Sequence, residues 1–191
     1  MIESWELHSR FGKVSIASGL AIFLFFFLFP QGAGAQAEQV AEANLSSDLS
    51  IPGGDSFLSL TLNAEGVQVG KVVSEITFPK DVLSFVEAKR GESGDQAEAD
   101  VKAEVKAAAG NSKDSVLQVT VSAAKALPLG ILATLKFKVS GAAPETDVTL
   151  KNAVKIFSLS GQEIKSAKGN EAILTVSPAT LPSVGCFLFT H

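Results

Sequence analysis

Apolar residues recur at every second position through most of the chain beyond Asp48, the period of a strand that buries one face. Leu58, Leu60 and Leu62 share one side, with Phe57, Ser59 and Thr61 on the other. Val72, Ser74, Ile76 and Phe78 alternate with Lys71, Val73, Glu75 and Thr77. Leu117, Val119 and Val121 alternate with Gln118, Thr120 and Ser122, and the longest face is Ile131, Ala133, Leu135, Phe137 and Val139, opposed by Thr134, Lys136 and Lys138. Shorter strands are expected at 83–88, 148–150, 154–159 and 172–176. Turn-forming clusters separate them: Pro52-Gly53-Gly54-Asp55, Pro79-Lys80-Asp81, Leu127-Pro128-Leu129-Gly130, Gly141-Ala142-Ala143-Pro144 and Ser160-Gly161-Gln162.

Residues 97–107 consist of Ala, Glu, Lys, Asp and Val, which by composition could form a helix. Their order decides otherwise. Ala97, Ala99, Val101, Ala103, Val105 and Ala107 take every odd position, while Glu98, Asp100, Lys102, Glu104 and Lys106 take every even one. A helix would spread those charges around its circumference, whereas a strand gathers them on one face. The segment is read as a strand, with 91–96 and 110–114 as exposed loops. The pattern as a whole predicts an all-β fold, a two-sheet antiparallel jelly-roll sandwich of about nine strands over 48–177.

The front of the chain differs. Arg10 and Lys13 precede a continuous apolar run at 14–29, which ends at Pro30 and the small residues Gly32-Ala33-Gly34-Ala35. This is the layout of a secretory signal peptide over 1–35, a helix preceding the sandwich, with cleavage expected after Ala35 and, as second choice, after Ala37. A permanent anchor is the competing reading, but as a helix the run would span roughly 24 Å, short of the ~30 Å hydrocarbon core. Contact with a membrane is therefore expected only through this segment, if it stays uncleaved. Residues 36–47 read as a flexible lead-in and 178–191 as a tail.

Composition then narrows the chemistry. The sequence has one Trp, no Tyr, two His and one Cys, and a formal net charge of −4. Processing would remove Trp5 and His8, leaving His191 as the sole imidazole. No basic patch suits nucleic acid, so no nucleic-acid partner is expected. Cys186 is alone and cannot form an internal disulfide, so the core must hold the fold. Nucleophilic catalysis needs a held base. Cys186 and His191 offer only two residues in a tail.

The carboxylates Glu87, Glu92, Asp95, Glu98 and Asp100 lie beside Gly-rich loops or on the charged strand and read as a solvated face. No loop with calcium-hand spacing, no paired His and no paired Cys is present. Gly53-Gly54 and the pair Gly91 and Gly94 lack the strand-to-helix context of a phosphate cradle. Asn44-Leu45-Ser46 matches a glycosylation sequon, a pattern common by chance. The expectation is no enzyme: no catalytic, cofactor-binding or metal residues, no cofactor, and partner-binding residues unknown.

Several stretches, taken in order, resemble a bacterial cohesin domain. They are Ile51-Pro52-Gly53-Gly54-Asp55, then Ile76-Thr77-Phe78-Pro79-Lys80-Asp81-Val82-Leu83 followed by Gly91, then Gly130 with the strand to Val139, and Ser160-Gly161-Gln162-Glu163-Ile164 leading to the closing strand at 173–176. They cover about 130 residues. Thr77-Phe78-Pro79 stands where the family usually has Tyr-Asp-Pro, and the charged strand is unusual for it. The resemblance implies an exported, non-catalytic module, secreted or in the bacterial cell envelope, that recognises a dockerin-like or other exported protein in polysaccharide-degrading assemblies. It also implies an alternative, a polysaccharide-binding module of the same fold, and a third reading is a structural envelope domain. Sugar-binding faces favour Trp and Tyr, both missing beyond the signal segment, and Phe78, Phe137 and Phe157 are expected in the core.

Overall fold

The computed structural model describes residues 40–108 and 113–178. The expected signal segment 1–35, residues 36–39 of the lead-in, loop residues 110–112 and residues 179–191 of the tail, with Cys186 and His191, lie outside the described residues.

The alternating runs form strands that bury one face each. In chain order the elements are β1 (Val40–Leu45), β2 (Asp48–Ser50), β3 (Asp55–Glu65), β4 (Val69–Pro79), β5 (Leu83–Arg90), α1 (Glu92–Gln96), β6 (Asp100–Ala107), β7 (Asp114–Ser122), β8 (Gly130–Val139), β9 (Thr146–Ser158) and β10 (Glu171–Val176). They make two facing sheets, ordered β1-β3-β8-β5 and β2-β10-β9-β4-β7-β6. Leu58, Leu60, Leu62, Val72, Ile76, Leu117, Val119, Val121, Leu135 and Phe137 fill the space between them, all at 1% exposure or less. Phe78 and Phe85 meet Phe137 edge-on at 5.3 and 5.7 Å, a favoured aromatic geometry. Among the described residues no helix is long and apolar enough to cross a membrane.

Four expectations about the fold need correction. The lead-in is structured from Val40: Ala41, Ala43 and Leu45 are buried and β1 pairs antiparallel with β3. The sandwich therefore begins before residue 48, because short Ala side chains fill an inward face without standing out as a hydrophobic run. The described residues hold ten strands, close to the expected count of about nine. The runs at 148–150 and 154–159 are one strand, joined through the buried Asn152, while β1 and β2 are added.

The sheets are not antiparallel throughout, since β2 runs parallel to β10. The chain changes sheet between β1 and β2, where Ser46 Oγ accepts from the Ser59 amide and Ser47 Oγ accepts from the Ile173 amide. These hydroxyls occupy amides of both sheets at the crossover.

Residues 92–96 are helical and packed, not an exposed loop. Gly91, Ser93 and Gly94 are buried against β8, and a Cβ on Gly91 or Gly94 would run into the carbonyl oxygens of Ile131 and Leu132. The glycines that suggest a loop instead permit close approach. Gly130, at φ +115°, completes this corner, and its hydrogen faces Ser93.

Finally, Ile131 is 39% exposed and Leu132 fully buried, because the β3–β8 ladder slips by one residue between the Leu60–Ala133 and Thr61–Ile131 pairs. A bulge of this kind exchanges the faces of the residues beyond it. The segment expected as a strand at 97–107 forms β6 from Asp100, with Ala97 and Ala99 buried in the turn before it.

Candidate protein-binding face

The acidic side chains noted in the sequence are not gathered into a site. Glu87 pairs with Lys89 at 3.0 Å, Asp95 with Arg90 at 3.8 Å, Glu98 with Lys125 at 3.3 Å and Asp100 with Lys102 at 2.8 Å, all at the surface. Glu92 is exposed on α1. Among the described residues no group of three or more His, Cys, Asp or Glu is placed to hold a metal. Asn44 of the sequon is half-buried in β1.

The six-stranded sheet presents a broad outward face whose side chains line up in register. One row runs Lys102, Thr120, Val73, Lys155 across β6, β7, β4 and β9. Two residues along, the row is Glu104, Gln118, Glu75, Ala153, and two further it is Lys106, Val116, Thr77, Lys151. Lys102, Lys106, Lys151 and Lys155 thus mark the corners of a patch, all four exposed. Strand spacing makes it about 14 Å across and about 13 Å along the strands.

The middle of the patch is uncharged at its half-buried positions, the apolar Val73 and Val116 and the hydroxyl-bearing Thr77 and Thr120. Lys106 donates to Gln118 at 2.7 Å, and Gln118 donates to Glu75 at 2.9 Å, which fixes the central side chains. Four lysines against Glu75 and Glu104 leave the patch locally positive on a chain of net charge −4. Sequence reasoning could not assemble it, because Lys151 and Lys155 reach the other lysines only through the sheet order.

The outer face of the four-stranded sheet is differently built. Asp55 sits between Lys136 at 2.9 Å and Lys138 at 3.2 Å. Its hydrogen bonds to these two ammonium groups hold the carboxyl below its ordinary value of 3.8. Phe57 is 55% exposed with the Lys136 ammonium 5.6 Å from its ring centre. Phe157, expected in the core, points outward from β9 with Lys71 Nζ 5.4 Å from its ring centre. A cation thus lies over the rings of both Phe57 and Phe157. A shallow depression of about 160 Å³ lies at the β1–β3 edge, lined by Val40, Glu42, Asn63, Ala64 and Glu65.

No protein-family model matches the chain, and no curated protein matches it in sequence. Solved structures do match in fold. The third cohesin of ScaC from Acetivibrio cellulolyticus, solved with the ScaB dockerin and displaying a type I interaction, is similar at a TM-score of 0.59 and 18% identity, over 72% of this chain and 99% of that one. A cohesin in a complex with a dockerin from Clostridium thermocellum (Coh-OlpA-Doc918) gives 0.58 at 13% identity, over 72% and 99%. A non-cellulosomal cohesin from the archaeon Archaeoglobus fulgidus gives 0.57 at 16% identity, over 72% and 91%. These matches agree with the two-sheet sandwich above, and the described part of the chain has the fold of a cohesin domain.

Proposed function

We propose that this chain is an exported, non-catalytic protein-binding module that docks a dockerin-type partner on the outward face of its six-stranded sheet. The carrying observation is the four-lysine patch on a cohesin fold. Its two lysine rows stand about 14 Å apart, and a helix with its side chains is about 10–12 Å across. A partner helix lying along the strands would rest on Val73, Thr77, Val116 and Thr120 and carry its own carboxylates toward the lysines. Positive potential on one face of an acidic protein steers such a partner and sets its orientation.

The signal-like sequence at 1–35 supports recognition outside the cytoplasm, in a secreted or envelope-bound bacterial protein, and a dockerin-type partner would tie it to polysaccharide-degrading assemblies. Binding of polysaccharide by the module itself is the weaker reading, since the outward rings Phe57 and Phe157 are each covered by a lysine. The test is calorimetric titration with the dockerin domains encoded in the same genome, with and without calcium. The expected result is saturable, calcium-dependent binding to at least one, weakened about tenfold or more by the double variant Lys151→Glu, Lys155→Glu with a salt dependence reduced to match. Binding that ignores the double variant removes this face from the account; saturable co-sedimentation with insoluble polysaccharide and no dockerin binding would favour the weaker reading.

A further inference from the structure

β6 is an edge of the six-stranded sheet: it pairs with β7 on one side, and among the described residues no strand pairs with it on the other. Such an edge presents a row of peptide groups ready to accept another strand. Its inward side chains are also incompletely covered. Val101 and Ala103 are half-buried, Ala107 is exposed, and Val105 is 48% exposed, although all four are apolar and on the core side. The outward side chains run Asp100, Lys102, Glu104, Lys106, alternating in sign.

That alternation has a consequence when the strand meets a copy of itself. In an antiparallel pair centred on Ala103, Asp100 faces the copy's Lys106, Lys102 faces the copy's Glu104, and both contacts repeat by symmetry. On the core side Val101 faces the copy's Val105, and Ala103 faces itself. A slip of two residues either way sets Lys102 against Lys102 or Glu104 against Glu104, and a parallel in-register stack sets every charge beside its own kind. Charged edge strands usually prevent association, and opposite charges across a ladder favour it. Among the antiparallel registers this one alone gives all four charges an opposite partner; a slip of four residues keeps only Asp100 with Lys102, or Glu104 with Lys106. Within the protomer Lys102 contacts Asp100 and Lys106 contacts Gln118, while among the described residues nothing pairs with Glu104.

We infer that β6 is a homodimerisation edge, and that two copies of this chain join antiparallel through it about a two-fold axis at Ala103, merging their six-stranded sheets into one. The contact is isologous and self-limiting, so it stops at two copies. It leaves the outward faces of β4, β7 and β9 uncovered.

The experiment is sedimentation equilibrium of the full-length chain over a concentration series at low and high salt, in detergent if the apolar N-terminal segment is retained. The expected result is a dimer that weakens as salt rises. Lys102→Glu sets two Glu–Glu contacts at the centre and yields only monomer, and Lys102→Glu combined with Glu104→Lys restores the dimer. Circular dichroism matching the parent confirms that each variant is folded, as expected for exposed side chains. A monomer at all concentrations, a species larger than two, a dimer indifferent to Lys102→Glu, or a folded double variant that stays monomeric would each overturn the inference. Association through the apolar segment would show itself as that indifference.

Discussion

Asn152 shows how a single polar side chain can hold a sandwich together from inside. It lies 6% exposed in the middle of β9, accepts from Ser74 Oγ at 2.6 Å and donates to the Ala43 carbonyl at 2.8 Å. Asn170 extends the link, its side chain accepting from the Leu45 amide at 2.7 Å and donating to the Leu45 carbonyl at 2.8 Å. The network ties β1, a member of the other sheet, to β4 and β9. Asn152→Ala would leave Ser74 Oγ and the Ala43 carbonyl buried without this partner, at a cost of about 2–3 kcal/mol. Urea denaturation is expected to show the loss as a lower midpoint with an unchanged slope.

Asp55 carries a pH dependence of defined sign. Its carboxyl is held below 3.8 by Lys136 and Lys138. The unfolded chain therefore binds the proton first as pH falls. The group's contribution to stability is present above the ordinary carboxylate range and is lost as pH drops through the lower, folded value. An NMR titration of the Asp55 carboxyl should show a midpoint below 3.8 that moves upward in Lys136→Met; an unmoved midpoint would contradict the assigned cause.

Among the elements, β8 offers the sharpest contrast between pattern and packing. Strict alternation makes Ile131 a core residue, and the bulge makes it a surface one. Leu132→Ala should cost about 2–5 kcal/mol, as expected for a buried Leu, and Ile131→Ala well under about 1 kcal/mol, as expected at a surface site. Equal losses would mean the ladder does not slip there.

The same contrast marks where the sequence could be read and where it could not. β3, β4, β7 and the rest of β8 follow alternation because large aliphatic side chains occupy each inward position. β6 was legible from charge periodicity alone. β1 was hidden by its Ala residues, the continuity of β9 by a buried Asn that resembles a break, and α1 by glycines whose role is close contact. The bulge lies beyond reading because it depends on the partner strand.

At the scale of the whole sandwich, the two-layer architecture was legible and the proposed docking face was not. Lysines 102 and 106 are separated from 151 and 155 by two intervening strands in the chain, and only the order β6-β7-β4-β9 sets them around one patch. The proposed binding of a partner rests on that patch. The most direct test is an NMR titration of isotopically labelled chain with a dockerin domain from the same genome. Shift changes are predicted on Val73, Thr77, Val116, Thr120, Lys151 and Lys155. Changes confined to the four-stranded sheet around Phe57, or none with any such domain, would contradict it.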